Sequence, residues 1–343
     1  MNERFIDKNV TAAEIKALAR RVGADCVGIA PMSRWEGAPK QNDPRHIFPG
    51  AKSMIVLGFR IPRGLLRGIE EGTRFIDYPG MGYASINQVH GPMVLWKLNA
   101  YLEDRGYEVF PLQNANGGDA VNPVTGKFRE GLSRHVAEGR PLPDVLVHFR
   151  IAAYLAGLGE FGWSKMFLTP EFGPRVRFAM LFTDAGFDVY DPIYEGRICD
   201  RCKLCVKHCG GHAISMTESV KVTLAGHEVE WGKLDELACE QGLHGGEGRE
   251  LSPFDGEYPR QYGYGRAVEG ACGCIRACMA HLEQRNKLTK TFRHPFRKPG
   301  WKQWKIDRTK PYEIPPEIVA EYGVGKPLAK TASDAEEFSP LND

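Results

Sequence analysis

Apolar residues recur at helical spacing in AAEIKALARRVG, residues 12–23, with Thr11 ahead as a cap and Gly23 behind as a stop. DCVGIA then reads as a short buried strand and KSMIVLGFRI as a second. A longer helical stretch, VHGPMVLWKLNAYLEDRG, is followed by YEVFPL as a third strand. FRIAAYLAGLG predicts a helix running into a Gly-rich turn, and VRFAMLFTDA has the β-branched and aromatic content of a strand. Helices alternating with strands over residues 10–190 predict an α/β or α+β domain around a central sheet. The chain shows no internal repeat and no low-complexity block.

From about Asp191 the pattern gives way to cysteine, glycine and short elements, with residues 210–270, rich in Gly, Glu and His, reading as an insertion. Between Arg285 and Lys310 stand ten Lys/Arg against one acid, Asp307, interleaved with Phe292, Phe296, Trp301 and Trp304. The end, TASDAEEFSPLND, reads as a polar tail. The expected domains are therefore 1–190, 191–285 and a basic, aromatic extension 286–343. Hydrophobic content of 42%, charged content of 26% and a net charge of +2 are ordinary for a globular protein and point to no particular polyelectrolyte partner. No apolar run approaches the roughly 20 residues that span a bilayer, and Arg20-Arg21 falls inside the first helical pattern rather than ahead of an apolar run. A cytoplasmic protein without membrane insertion is expected.

Eight of the nine cysteines lie between Cys199 and Cys278, and Cys26 reads as a buried strand residue. Reducing conditions disfavour disulfides, so metal or cluster binding is the expectation for the eight. CDRCKLCVKHC, starting at Cys199, has the spacing C-x2-C-x2-C-x3-C, in which three thiolates wrap one cubane cluster and the fourth serves a second. CGCIRAC repeats the C-x3-C ending. One [4Fe–4S] cluster is assigned to Cys199, Cys202, Cys205 and Cys278, the other to Cys209, Cys239, Cys272 and Cys274. Zinc, also held by four thiolates, is the competing assignment, though it favours two separated pairs over one dense run. Gly210-Gly211 replaces the proline that usually follows such a run, and makes the same turn through conformational freedom. Dinucleotide and P-loop fingerprints are absent.

LAGLGEFGWSKMFLTPEFGPRVRFAMLFTD, residues 155–184, followed by the cysteine run, resembles the cobalamin-dependent reductive dehalogenases. DPRHIFPGAKSMIVLGFRI, residues 43–61, resembles both that family and the epoxyqueuosine reductases of tRNA modification. Glu160 and the stretch Thr169–Arg177 side with the dehalogenases. The resemblance implies an α+β fold: a nitroreductase-like α/β cobalamin-binding domain followed by a ferredoxin-like domain with two [4Fe–4S] clusters. It implies base-off cobalamin, reduced by the nearer cluster. DPRHIFPG lacks the D-x-H-x-x-G spacing of a histidine-ligated corrinoid.

The same resemblance implies a Tyr or Asp proton donor beside a Lys or Arg. Tyr83 and Tyr154 are the candidate acids, Lys165 the basic residue, and Asp144 and His148 lie where the tRNA enzymes place their acidic residue. Gly157, Gly159, Gly162, Thr169, Pro170 and Arg175 are expected at the cofactor, with Arg177 serving fold or cofactor. A cytoplasmic corrinoid and iron–sulfur reductase acting on a small organic molecule is the leading expectation, with electrons from an external ferredoxin or flavodoxin. An epoxyqueuosine reductase-like enzyme and an electron carrier or activator for another corrinoid protein are the alternatives. Nucleic-acid contact through residues 285–310 and a homodimer are left open.

Overall fold

Thr11 opens the first helix with a reciprocal cap: its hydroxyl accepts from the Glu14 N–H at 3.2 Å, and the Glu14 carboxylate accepts from the Thr11 N–H at 2.9 Å. In the computed structural model this helix, α1, runs Ala12–Val22 and ends on Gly23 at φ 123°. The structure describes residues 9–114, 135–243 and 270–304, with a few isolated positions beyond. Most of the Gly/Glu/His-rich stretch after residue 243 and nearly all of the polar tail lie outside the described residues. One unit runs Met1–Trp304, and Lys305–Asp343 form a second.

Strands β1 (Cys26–Pro31), β2 (Ser53–Arg60), β3 (Val109–Leu112) and β6 (Val176–Thr183) form one sheet in the order β1-β2-β6-β3. Every pairing in it is antiparallel, which places the mixed helix-and-sheet fold on the α+β side. Side chains alternate between two cores, as a period of two requires. Ile29, Ile55, Leu57 and Leu181 pack with Ile15 of α1 and Leu98 of a later helix, while Met54, Val56, Met180 and Phe182 face Phe149 and Ala152. Burial on both faces explains why β2 reads as an almost unbroken apolar run.

Short helices α2 (Arg67–Glu70) and α3 (Asp77–Pro79) lead into two π-helical turns, Gly80–Ala84 and Ile86–His90, and then α4 (Gly91–Glu103). The wide turns were not expected from the sequence, which predicted one helix from Val89. Helix α5 (Phe149–Leu155) is capped by His148, whose Nδ1 accepts from the Ile151 N–H at 3.3 Å. Beyond the glycine turn a hairpin, β4 (Glu160–Phe161) and β5 (Phe167–Leu168), precedes β6. The cysteine run contains α6 (Leu204–Lys207) and leads to a long hairpin, β7 (Ile214–Leu224) with β8 (His227–Leu234). Its turn is Ala225-Gly226, both at positive φ (48° and 84°), the tight-turn chemistry that suits twisted strands. Helices α7 (Glu236–Leu243) and α8 (Gly270–Gln284) complete the set. Among the described residues no helix is long and apolar enough to cross a membrane.

The basic, aromatic stretch packs into the first unit as far as Trp304. Glu70, 1% exposed, accepts from Arg276 of α8 and from Arg297 Nε. Phe296 is 2% exposed, Arg63 stacks on Phe292 at 3.6 Å, and Trp304 donates to the Ile69 carbonyl at 2.9 Å. Phe292, Phe296 and Trp304 thus have partners inside the protein.

Candidate functional site

The AGLGE turn is held on two sides by backbone. A Cβ on Gly157 would stand 2.1 Å from the Pro192 carbonyl oxygen, and one on Gly159 would stand 2.0 Å from that of Leu168. Both glycines have positive φ, 73° and 151°, so the turn needs them for conformation and for close approach. Gly162 faces the Leu168 side chain. These three, expected at a cofactor, turn their open faces toward protein. Thr169 is fully buried, its hydroxyl accepts from the Phe172 N–H, and Pro170 offers its carbonyl to the Thr289 N–H. Arg175, 2% exposed, donates to the Ile61 carbonyl; burial lowers its pKa to about 10.

The β4–β5 hairpin grips the cysteine run along its length. Glu160 Oε1 accepts from the Ile198 N–H at 2.6 Å and the Cys199 N–H at 2.5 Å. Trp163 packs with Cys205, Cys209 and Ile214, and its Nε1 donates to the Ser215 carbonyl at 2.9 Å. Ser164 lies close enough to Cys205 to offset part of the rise that burial imposes on its thiol. Lys165, itself at φ 62°, reaches Glu236 at 2.8 Å.

Seven of the eight cysteines in the run and its downstream partners are described, all as free thiols. Burial, then the neighbouring Cys199, Cys205, Cys202 and Cys274, pushes the Cys278 thiol well up. Burial with Cys199 and Cys202 raises Cys205 to about 12. Burial and Cys209 raise Cys239, against the pull of Arg150 and Lys165. Cys199, Cys202, Cys205 and Cys278 therefore lie within electrostatic reach of one another, and Cys209 with Cys239 form a second neighbourhood. Cys202 is exposed, whereas Cys209 is 7% exposed. Cys274 and Cys278 lie one turn apart on α8; Cys272 is on the same helix, its side chain outside the described residues. Gly273 permits that helix to seat: a Cβ there would meet the His208 carbonyl oxygen at 1.7 Å. Cys26 is a buried residue of β1, its thiol raised mainly by burial.

Beside the second neighbourhood lies a phenol among cations. Tyr83, on the first π-helical turn, has the Arg177 guanidinium 3.6 Å from its ring centroid. Arg177 Nε donates to Oδ1 of Asn87, one turn on and 3% exposed, at 3.1 Å. Arg150 donates to the Lys165 carbonyl at 3.0 Å. Its pKa is lowered by burial and Arg177, while Tyr83, Cys239 and Cys274 pull it up. Burial, Arg150 and Lys165 together push His148 down to about 3, so it is a neutral cap at pH 7 rather than an acid. Arg150 thus lies within electrostatic reach of both Tyr83 and His148, and bonds the backbone of Lys165. Tyr154 does not join them: it packs on Phe161 in the second core, its pKa raised by burial and Glu160. Asp144 is an exposed residue at φ 61°. Arg150 and Asn87 escaped the sequence reading; only their spacing from the cap and from Tyr83 could have marked them.

No protein-family model matches the chain. Its sequence is similar to the reductive dehalogenases over 64% of its length, in keeping with the resemblance read from its motifs. It is 39% identical over 251 residues to the tetrachloroethene reductive dehalogenase of Desulfitobacterium hafniense, a match covering 64% of this chain and 41% of that protein. The tetrachloroethene reductive dehalogenase of Dehalobacter restrictus is 26% identical over the same shares. The chain spans about two fifths of the length of the curated relatives it matches. A solved reductive dehalogenase, whose structure is described as suggesting a mechanism for B12-dependent dehalogenation, has a TM-score of 0.50 at 20% identity. That match covers 90% of this chain and 40% of the other, a likeness of fold.

Proposed function

We propose that this protein is a corrinoid and iron–sulfur reductase that removes a substituent, such as a halide, from a small organic molecule. The observation that carries it is a tyrosine fixed by arginine, within reach of the cysteine cluster through Arg150. Tyr83 lies under Arg177, and Arg150 feels Tyr83, Cys239 and Cys274 alike.

The donor set fits iron. Buried thiols such as Cys205 and Cys278, raised by burial and then by neighbouring cysteines, are relieved by binding a cation as thiolates. Cys199, Cys202, Cys205 and Cys278 would hold one [4Fe–4S] cluster, and Cys209, Cys239, Cys272 and Cys274 the other, in a ferredoxin-like part following a nitroreductase-like one. Residues 1–190 and 191–285 are the proposed extents of the two parts. Exposed Cys202 would face an external ferredoxin or flavodoxin, and buried Cys209 would lie inward. Arg150, Arg177 and Lys165 fit a corrinoid's phosphate and a departing anion. Base-off cobalamin, when bound, supplies the low-potential centre that breaks the carbon–substituent bond.

Tyr83 is the proposed proton donor. Arg177 fixes its ring and stabilises the phenolate left behind, and Asn87 fixes Arg177 in turn. Lys165, tied to Glu236, adds charge at the edge. His148 holds the start of α5, which carries Arg150.

Anaerobic reconstitution followed by iron analysis, a spectrum with hydroxocobalamin and turnover of halogenated aromatic and aliphatic substrates tests the reading. About eight irons, cobalamin binding and a Tyr83→Phe loss of about 10²–10⁴ in turnover are expected. Zinc in place of iron, or no cobalamin binding by the iron-loaded protein, overturns it.

A further inference from the structure

Glu160 is a carboxylate that makes no ion pair among the described residues; it is turned onto two backbone N–H groups. One of them belongs to Cys199, the first cysteine of the run, and the other to Ile198. The turn carrying Glu160 is packed closely against backbone. Gly157 and Gly159 abut the carbonyls of Pro192 and Leu168, and Gly28 of β1 abuts that of Ala156 at 2.2 Å from where a Cβ would lie. The segment from Pro192 to Cys199 is therefore held at both ends by the AGLGE turn. Ile198 is 2% exposed, so the carboxylate meets this segment from its protein side. Phenols flank it: burial and then Glu160 raise both Tyr154 and Tyr194.

We infer that Glu160 is a positioning and potential-setting residue for the iron–sulfur site of Cys199, Cys202, Cys205 and Cys278. The inference rests on the iron–sulfur reading of those cysteines. Two effects act in the same direction. A fixed negative charge one residue from a ligand disfavours adding an electron there. The N–H groups of Ile198 and Cys199, bonded to the carboxylate, are also withdrawn from the donors that stabilise reduced cluster sulfur. Both lower the reduction potential of the site nearer the surface, the one with exposed Cys202. A low potential at the entry favours passing electrons inward. The carboxylate also fixes the Cys199 backbone before any metal arrives, so iron meets a ligand loop already in place.

Glu160→Gln separates the two effects: its amide oxygen keeps the N–H bonds while the charge is lost. Iron content and reduction potentials, the latter by anaerobic titration followed by electron paramagnetic resonance, are measured on the reconstituted full chain. The expected result is full iron and one signal whose potential rises, the other staying at the wild-type value. Glu160→Asp restores the charge one methylene short and is expected to titrate near wild type. Glu160→Ala, lacking both charge and acceptor, is expected to retain about half the iron, since one of two clusters loses its mount. Glu195→Gln, an exposed acid on the same segment, is expected to leave both potentials unchanged. Wild-type potentials in Glu160→Gln at full iron would overturn the inference while leaving the iron–sulfur reading intact. An equal shift in Glu195→Gln would overturn it too, by reducing the effect to net charge. A wild-type chain that takes up no iron would remove both.

Discussion

Glu70 joins three parts of the first unit, and replacing it by glutamine should show how much that joint contributes. The side chain is 0% exposed and accepts from Arg276 of α8 and from Arg297, whose side chains are 2% and 12% exposed. Glutamine keeps the shape but leaves two buried guanidinium groups facing one neutral carbonyl. Breaking a buried pair by neutralising one partner costs about 3–5 kcal/mol, because the remaining charge is left uncompensated. Arg276 Nε already has no hydrogen-bond partner among the described residues, so little is available to absorb the loss. With roughly 2 cal/mol/K of unfolding entropy per residue, a unit of 304 residues has about 0.6 kcal/mol/K. The expected fall in Tm is then about 5–8 °C, read by anaerobic calorimetry on samples matched for iron. Replacing all three side chains by apolar ones of similar volume should recover most of that loss, since well-packed hydrophobic triads match buried ion triads. A Glu70→Gln protein melting within about 2 °C of wild type would refute the reasoning and mean that water or mobility already compensates the arginines.

Two further substitutions test the local geometry. Gly273→Ala puts a Cβ 1.7 Å from the His208 carbonyl oxygen, so α8 must back away from α6. An overpacking loss of about 1–3 kcal/mol and weaker iron retention are expected by thermal melt and iron assay; an unchanged iron content would show that the contact relaxes freely. His148 has a folded pKa of about 3, below its ordinary 6.5, so the folded state binds fewer protons than the unfolded one. Its contribution to stability is present above about 6.5 and is lost as pH falls toward about 3. His148→Asn, a capping side chain that does not titrate, should flatten that acid limb in denaturant melts run from pH 7 to 4; an unaltered pH profile would place the titration elsewhere.

The elements of the sheet domain were legible because periodicity and caps agree there. Thr11 and Gly23 bound α1 as expected, β2, β3 and β6 fall within the apolar runs that announce them, and β1 runs one residue past its own to Pro31. Strand direction was not legible, because a run buried on both faces looks the same in parallel and antiparallel sheets. The β7–β8 hairpin was hidden inside a stretch judged by its Gly and Glu content, although SVKVTL and EVEW alternate around Ala225-Gly226. The π-helical turns left no periodic trace, since a widened turn breaks the 3.6-residue rhythm that reveals helices. The basic, aromatic segment was ambiguous for a different reason. An arginine beside a phenylalanine reads alike whether it stacks on a base or on its own protein, and here Arg63 and Arg67 of the first half supply the partners.

The candidate site shows why the most family-specific residues were also the least interpretable in isolation. Within EFGWSK three side chains meet different pieces of chain far along the sequence. Glu160 meets Ile198 and Cys199, Trp163 meets Cys205 and Ser215, and Lys165 meets Glu236. Such a motif has no local periodicity to betray it, because its constraints are tertiary. A glycine pattern that looks like a loop for phosphate or corrinoid is, at Gly157 and Gly159, a mount pressed against backbone. The sheet half and the cysteine half therefore meet at the β4–β5 hairpin, Glu160–Leu168, as they also do where Arg276 of α8 reaches Glu70. Replacing Trp163, which packs on Cys205 and Cys209 rather than in the sheet cores, should alter metal content by iron assay before it alters the melting of the sheet.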